Sequence, residues 1–302
     1  MPIDLDAVTA IDTHVHVEDD GHGHHSLDDE LMAASAAYFK AGVNRTPSLA
    51  DIAAYYRERG LAAVVFTVDA QTATGHPPVS SAQIIADARA YDDVVIPFAS
   101  VDPLAPDAAG RLRELAAAGA RGLKLHPSLQ AFVPSDRAHY PLYEAAAELG
   151  LPVVFHTGQT GIGAGLPGGR GIKLRYSDPM LIDDVAADLP DLTIILAHPS
   201  VPWQDAAISM ATHKANVFID LSGWSPRYFP PQLVRAAGSL LRRKVLFGSD
   251  FPVITPDRWL ADFAELDIKP EARPLILKDN AARLLGLAGR GAGPRPASPS
   301  RP

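Results

Sequence analysis

The sequence predicts one closed (β/α)8 TIM barrel in the α/β class, a single domain with a long insertion between its first strand and first helix. Three observations carry that expectation. Eight short segments rich in apolar and β-branched residues recur down the chain. Most are continuous apolar runs, as strands covered on both faces of a parallel sheet must be. Helix-like stretches separate them, and nothing between reads as an interdomain linker. The 302 residues suit eight βα units.

The elements follow in order. A first strand is expected at 9–16. The connection after it, 17–47, is long and carries its own helix at 27–40, as a segment walling a pocket would. A helix at 48–59 opens with a Ser48 cap and stops at Gly60. Strands at 62–69 and 95–102 lead to a helix at 106–118, with Pro106 at its start and Gly119 just past its end. Strands at 120–127, 152–158, 193–200, 217–223 and 244–252 then alternate with helices at 140–149, 179–189, 204–214 and 231–243. The barrel is assigned to 1–288. The remainder, 289–302, is mainly Gly, Pro, Ser, Ala and Arg and is expected to be a disordered tail. An open doubly wound sheet is the alternative, because periodicity does not distinguish a closed ring from an open edge.

Composition removes several classes of function. The formal charge is −8 and no Lys/Arg-rich run occurs, so a nucleic-acid partner is not expected. An anionic substrate must therefore be met by a local group of cations. There is no cysteine, which excludes disulfides, thiolate metal sites and a cysteine nucleophile. Met1-Pro2-Ile3-Asp4-Leu5-Asp6 lacks a basic region followed by an apolar stretch, so no signal peptide is expected. No apolar run approaches a membrane span, and a soluble cytoplasmic protein is the default.

The chemistry lies in where the histidines fall. Of eleven, His14, His16, His126, His156 and His198 lie at or near the C-terminal ends of expected strands, and Asp250 ends the eighth. In a barrel those ends share one face. His14 and His16 are two apart on one strand and share a side of it. Joined by His156 from the fifth strand and Asp250 from the eighth, they would offer three imidazoles and a carboxylate to one divalent cation. Zinc suits that set best, with manganese and iron as alternatives. A His-x-His pair alone is weak, and its coincidence with the other strand ends gives it weight.

Asp12-Thr13-His14-Val15-His16 resembles the first-strand signature of the amidohydrolase superfamily. Gly122-Leu123-Lys124-Leu125-His126-Pro127, Ala197-His198-Pro199, Asp220-Leu221-Ser222-Gly223-Trp224, Leu246-Phe247-Gly248-Ser249-Asp250-Phe251-Pro252 and Asn280-Ala281-Ala282-Arg283-Leu284-Leu285-Gly286 are similar to motifs of its "amidohydrolase 2" branch. That branch includes aminocarboxymuconate-semialdehyde and resorcylate-type decarboxylases, hydratases, lactonases and C–C hydrolases. The Pro- and Gly-rich stretches also resemble hydroxyphenyl-β-ketoacyl-CoA hydrolases. The resemblance implies metal ligands at His14, His16, His156 and Asp250, and a non-ligand active-site histidine at His198. It also raises a carboxylated lysine bridging two metals at Lys124, although the motif fits the mononuclear branch better.

In that frame Asp250 orients a water and passes its proton on, and His198 polarises a carbonyl or stabilises an oxyanion. The alternative for His198 is a structural histidine beneath the pocket. Lys124 and His126 share parity on the fourth strand and are candidate substrate contacts, against a buried ion pair and a structural hydrogen bond respectively. Arg170 and Arg175, in the glycine-rich loop 158–178, are candidates for a basic lid over an anionic substrate. A solvated loop is the plain alternative. Trp224 completes the candidate substrate contacts. Gly163-Ala164-Gly165-Leu166-Pro167-Gly168 matches G-x-G-x-x-G, but Pro167 interrupts it and no helix follows directly, so no dinucleotide site is expected. His22, His24 and His25 read as a flexible segment that could reach over the pocket, and His76, His139 and His213 as surface residues.

The leading expectation is metal-dependent hydrolysis of a C–C or acyl bond beside a carbonyl in a small aromatic or acyl-thioester-linked acid. Non-oxidative decarboxylation uses the same ligands and is the second. A catalytically silent binding barrel is the third, against which stands the complete ligand set. By analogy alone a homodimer is expected.

Overall fold

The computed structural model describes residues 3–39 and 46–287, so the expected tail and residue 40 of the expected 27–40 helix lie outside the described residues, while the helix itself runs Asp29–Tyr38. Among the described residues nine parallel strand segments run in chain order: β1 Ala10–His16, β2 Leu61–Phe66, β3 Val95–Pro97, β4 Ala99–Ser100, β5 Leu123–Leu125, β6 Val153–His156, β7 Ile194–Ala197, β8 Val217–Asp220 and β9 Val245–Leu246. Each pairs with the next in sequence, except that β3 and β4 are two halves of one run interrupted at Phe98. There Phe98 N donates to Val65 O on one side, and Ala99 N donates to Gly122 O on the other. Thr13 N donates to Phe247 O at 2.9 Å and His16 N to Phe251 O at 2.8 Å. These bonds and the parallel Val15–Phe251 bridge join the last strand region to the first. The ring therefore closes, which decides for the barrel over the open sheet.

Alternation along the strands sorts the core into two layers. Ala62, Val64 and Phe66 face inward with Ile11, Ile96, Phe98, Val154, Ile195 and Leu246. Ala63 and Val65 face outward against helix residues such as Ile52, Tyr56 and Leu112. Leu61–Phe66 is buried at every position, which explains its unbroken apolar reading. β1 departs from simple alternation. Its register with β2 shifts between Asp12 and Val15. The extra residue lets Ile11 face inward while Val15 and Val17 face outward.

The helices refine the sequence reading. Helix Leu49–Glu58 begins with a capping box between Ser48 and Asp51, and Ala108–Ala118 ends at Gly119, as expected. The stretch 179–189 divides into a 3-10 turn, Pro179–Ile182, and a helix, Asp183–Asp188, while 231–243 keeps helical form only over Pro231–Ala237. Gln71–Thr74, Ser81–Ala88, Pro256–Ala264 and Asn280–Leu284 are added. Gln71–Thr74 and Asn280–Leu284 are too short to repeat an apolar period enough times to stand out. His139, expected at the surface, is buried against Phe132, with ring centroids 5.0 Å apart. No helix among the described residues is long and apolar enough to cross a membrane.

Candidate metal centre

The strands stop earlier than expected: His126 and His198 stand one residue past β5 and β7, and Asp250, expected to end the last strand, lies four residues past β9 in the loop that follows it, while His14, His16 and His156 remain on strands. His198 and Asp250 take φ of 73° and 70°, left-handed values that residues with a β-carbon adopt only when their surroundings hold them. Gly223 makes room for the first. A β-carbon there would lie 2.5 Å from His198 Nδ1, and its own φ is 74°.

The first-strand histidines converge on one carboxylate oxygen. Asp250 Oδ1 lies 3.4 Å from His14 Nε2 and 3.2 Å from His16 Nε2. Each ring is held from behind by an acid, Asp220 Oδ2 at 2.7 Å from His14 Nδ1 and Glu18 Oε1 at 3.1 Å from His16 Nδ1. A carboxylate taking the Nδ1 proton fixes the tautomer that presents Nε2 as a ligand. Neither Asp220 nor Glu18 is among the functional residues the sequence predicts. Asp220 ends β8 in the same way that His156 ends β6, and that position was the available signal.

His198 joins this group. Single donor atoms of His14, His198 and Asp250 lie within 4.8 Å of one another, a spacing that one cation could bridge. His198 Nδ1 is 2.9 Å from Ser222 Oγ, and its Nε2 is 2.9 Å from His156 Nδ1. When His156 donates from Nδ1 to His198, and His198 from Nδ1 to Ser222, His156 Nε2 is left with a free lone pair. That atom is buried and has no hydrogen-bond partner. An orphaned buried imidazole nitrogen beside converging imidazole and carboxylate donors fits a hard-to-borderline divalent cation. The His126 ring stacks on His156 at 3.7 Å, and its Nδ1 accepts from Leu129 N at 3.3 Å.

Electrostatics agree with this arrangement. Burial holds His14, His126, His156 and His198 below the usual imidazole range, so they are neutral. Burial alone would lower His16, but its contacts with Asp250 and Glu18 raise it to about 9. Burial alone would raise Asp250, yet the His16 hydrogen bond and the neighbouring rings hold it well below the carboxylate range. A cation entering here displaces the His16 proton. Lys124 is fully buried, with Nζ 3.1 Å from His14 Nε2 and 5.0 Å above the Phe66 ring. Burial brings it down to about 8.

The other candidates lie apart from this cluster. Arg170 pairs with Asp28 at 2.5 Å and Glu30 at 3.1 Å, tying the glycine-rich loop to the helix Asp29–Tyr38 of the first insertion. Arg175 is exposed, 5.0 Å over Tyr176, and Trp224 packs half-buried on the outer core. His24 and His76 stack at 5.3 Å and bond to the carbonyls of Pro77 and His25, joining the first loop to the one after β2. A cavity of about 230 Å³ lies among these loops, lined by Leu31, Thr74, Leu129, Arg170 and Ile172.

A family model described as Amidohydrolase matches residues 11–287. Among solved structures the chain is similar to an uncharacterised TIM-barrel protein from Bordetella bronchiseptica, at 26% identity and TM-score 0.77, covering 93% of this chain and 99% of that one. It is also similar to 5-carboxyvanillate decarboxylase from Sphingomonas paucimobilis, at 14% identity and TM-score 0.65, covering 92% and 99%. A probable 2-pyrone-4,6-dicarboxylic acid hydrolase from Acinetobacter baumannii follows at 16% identity and TM-score 0.60, covering 92% and 100%. A search of curated proteins found no match.

Proposed function

We propose that this chain, which belongs to the amidohydrolase family, is a metal-dependent hydrolase cleaving a C–C or acyl bond beside a carbonyl in a small anionic or aromatic acid or β-ketoacyl thioester. The observation that carries the reading is the convergence of His14, His198 and Asp250 within 4.8 Å, with acids behind both first-strand rings. We assign one divalent cation to His14, His16, His156 and Asp250, following the family resemblance. His16 Nε2 against Asp250 and the unpartnered His156 Nε2 support that set, and His198 is the competing ligand of the His14–Asp250 group. Zinc comes before manganese or iron because the donors are imidazole and carboxylate. The chemistry such an ion supplies is polarisation of a carbonyl and acidification of water.

The chain's own groups do the remaining work. The Asp250 carboxylate, held ionised, accepts a proton from the attacking water and returns it to the departing carbon or heteroatom. His198, neutral and held at Ser222 through Nδ1, would stabilise the oxygen on which negative charge develops in the tautomer that carries its proton on Nε2, with the Ser222 hydroxyl donating to Nδ1 instead of accepting from it. The Lys124 ammonium, in a buried setting, steadies an enolate-like leaving group. His14 is fully buried while the His16 and Asp250 side chains keep 15% and 14% exposure, so substrate enters along that edge.

Decarboxylation is the second reading, and Lys124 favours it. A buried ammonium 3.1 Å from His14 Nε2 is suited to a substrate carboxylate, and one relative of this fold is a 5-carboxyvanillate decarboxylase. Asp250 or His198 would then protonate the carbon that loses carbon dioxide. Product analysis in ¹⁸O-water separates the two. Solvent oxygen in the product supports hydrolysis, and carbon dioxide released without water uptake eliminates it. Should zinc-loaded wild type and Asp250→Asn prove equally inert on aromatic acids, esters, β-keto acids and β-keto thioesters, the enzymatic reading fails.

A further inference from the structure

We propose that Asp12 is a positioning residue: it clamps the loop after the last strand onto β1, and so holds Asp250 in the left-handed conformation that turns its carboxylate toward His14 and His16. The consequence for metal binding rests on the function proposed above; the clamp itself rests on geometry alone.

Asp12 lies on β1 two residues before His14 and is fully buried. Its carboxylate accepts four hydrogen bonds. Oδ1 takes His14 N at 3.1 Å and Ser249 N at 2.9 Å. Oδ2 takes the Tyr56 hydroxyl at 2.7 Å and the Ser249 hydroxyl at 2.5 Å. Tyr56 and Ser249 are themselves fully buried, so water does not replace these bonds. Two of the four go to the residue just before Asp250. The Ser249 hydroxyl oxygen also accepts from Phe251 N at 3.1 Å, just after Asp250, while Asp250 N donates to His14 O at 3.0 Å. Asp250 is thereby pinned on both flanks and through its own amide.

That pinning has something to oppose. Asp250 carries φ of 70°, where its β-carbon crowds the backbone, and an untethered residue would leave that region. An ionised carboxylate suits the clamp because it is an acceptor only; burial pushes Asp12 up to about 7, and the four donors that meet it here work against that rise. An amide keeps one oxygen for the two backbone N–H groups but deprives the Tyr56 and Ser249 hydroxyls of the oxygen they donate to, and turns an N–H toward a Ser249 hydroxyl that already accepts from Phe251 N. Tyr56 belongs to helix Leu49–Glu58, so the helix after the insertion braces the site without touching its donor atoms.

The test compares full-length Asp12→Asn, Ser249→Ala and Tyr56→Phe with wild type. Crystal structures of the metal-free proteins give the Asp250 backbone and its distance to His16. Competition with a chromogenic chelator gives the affinity for Zn2+, and thermal melting gives stability. Asp12→Asn and Ser249→Ala are expected to release Asp250 from positive φ and to weaken zinc at least about tenfold. Tyr56→Phe, which deletes one bond of four, is expected to fold, to lower Tm by a few degrees and to weaken zinc by less than the other two variants do. A smaller shift of Asp250 in its metal-free structure is the readout that a purely structural role would not give. The clamp is overturned if Asp250 keeps its conformation in folded Asp12→Asn or Ser249→Ala, or if all three variants bind zinc as wild type does. Should Asp12→Asn not fold, the other two variants decide. Should wild type bind no zinc, the metal reading falls, and the clamp stands or falls on the metal-free geometry of Asp250.

Discussion

Asp220→Asn probes the carboxylate behind His14. The two side chains are fully buried, and Asp220 Oδ2 takes the His14 Nδ1 proton at 2.7 Å while Oδ1 takes Ser222 N at 2.7 Å. Asparagine keeps the shape and one acceptor oxygen but removes the charge, and charge-assisted hydrogen bonds are about twice as strong as neutral ones. Loss of an acid behind a ligating histidine typically costs about 10–100-fold in metal affinity, or about 1.4–2.8 kcal/mol. Because asparagine retains an acceptor, the lower end, about tenfold, is expected for it, and the upper end for Asp220→Ala. The assay titrates Zn2+ into metal-free protein against a chromogenic chelator, with circular dichroism to verify folding. A folded Asp220→Asn and a folded Asp220→Ala that both bind zinc as tightly as wild type would refute the reasoning, because His14 would then not be a ligand oriented by Asp220.

Metal content of alanine variants separates the two possible donor sets: His16→Ala and His156→Ala are expected to lose stoichiometric zinc while His198→Ala retains it, and the reverse pattern would move His198 into the ligand set. Exhaustive chelation of the purified protein is expected to abolish activity and one equivalent of Zn2+ to restore it; full activity in the chelated protein, with no zinc by elemental analysis, contradicts the assignment. Gly223→Ala would set a β-carbon 2.5 Å from His198 Nδ1 at a φ of 74°, and a displacement of that ring by roughly 1 Å is expected to lower kcat about 100-fold in a folded protein; an unchanged kcat removes His198 from the reaction. Trp259, fully buried with Phe247 and Phe263 at 4.6 and 4.9 Å, tests the core instead. Trp259→Ala is expected to cost about 3–5 kcal/mol, a fall in Tm of roughly 5–8 °C for a chain of this size, and a melt within 1 °C of wild type, roughly a fifth of the smallest expected fall, would show that the site collapses without a cavity.

Much of this barrel is legible without coordinates because burial on both faces leaves a direct mark on a strand. Leu61–Phe66 reads as six consecutive apolar residues for that reason. Ser48 and Gly119 are visible because helix ends have their own local chemistry. The helix Ser81–Ala88 escapes notice since eight residues give only two turns of periodicity. The burial of His139 is not legible in the sequence, because nothing local marks a histidine that packs against Phe132.

By itself, the sequence determined the alternation of elements, the family resemblance, and the position of His14, His16, His156 and Asp250 at or near strand ends, since these depend on residue type and short-range spacing. Only the tertiary structure decided that the ring closes, that an irregularity between Asp12 and Val15 changes which side of β1 faces the barrel, and that Asp220, Glu18 and Ser222 hold the histidines from behind. It also directed Arg170 to Asp28 and Glu30. The physical reason is one of range. A strand's apolar character is written in consecutive residues, whereas a hydrogen bond between positions 14 and 220 exists only once the barrel has brought two strand ends to the same rim.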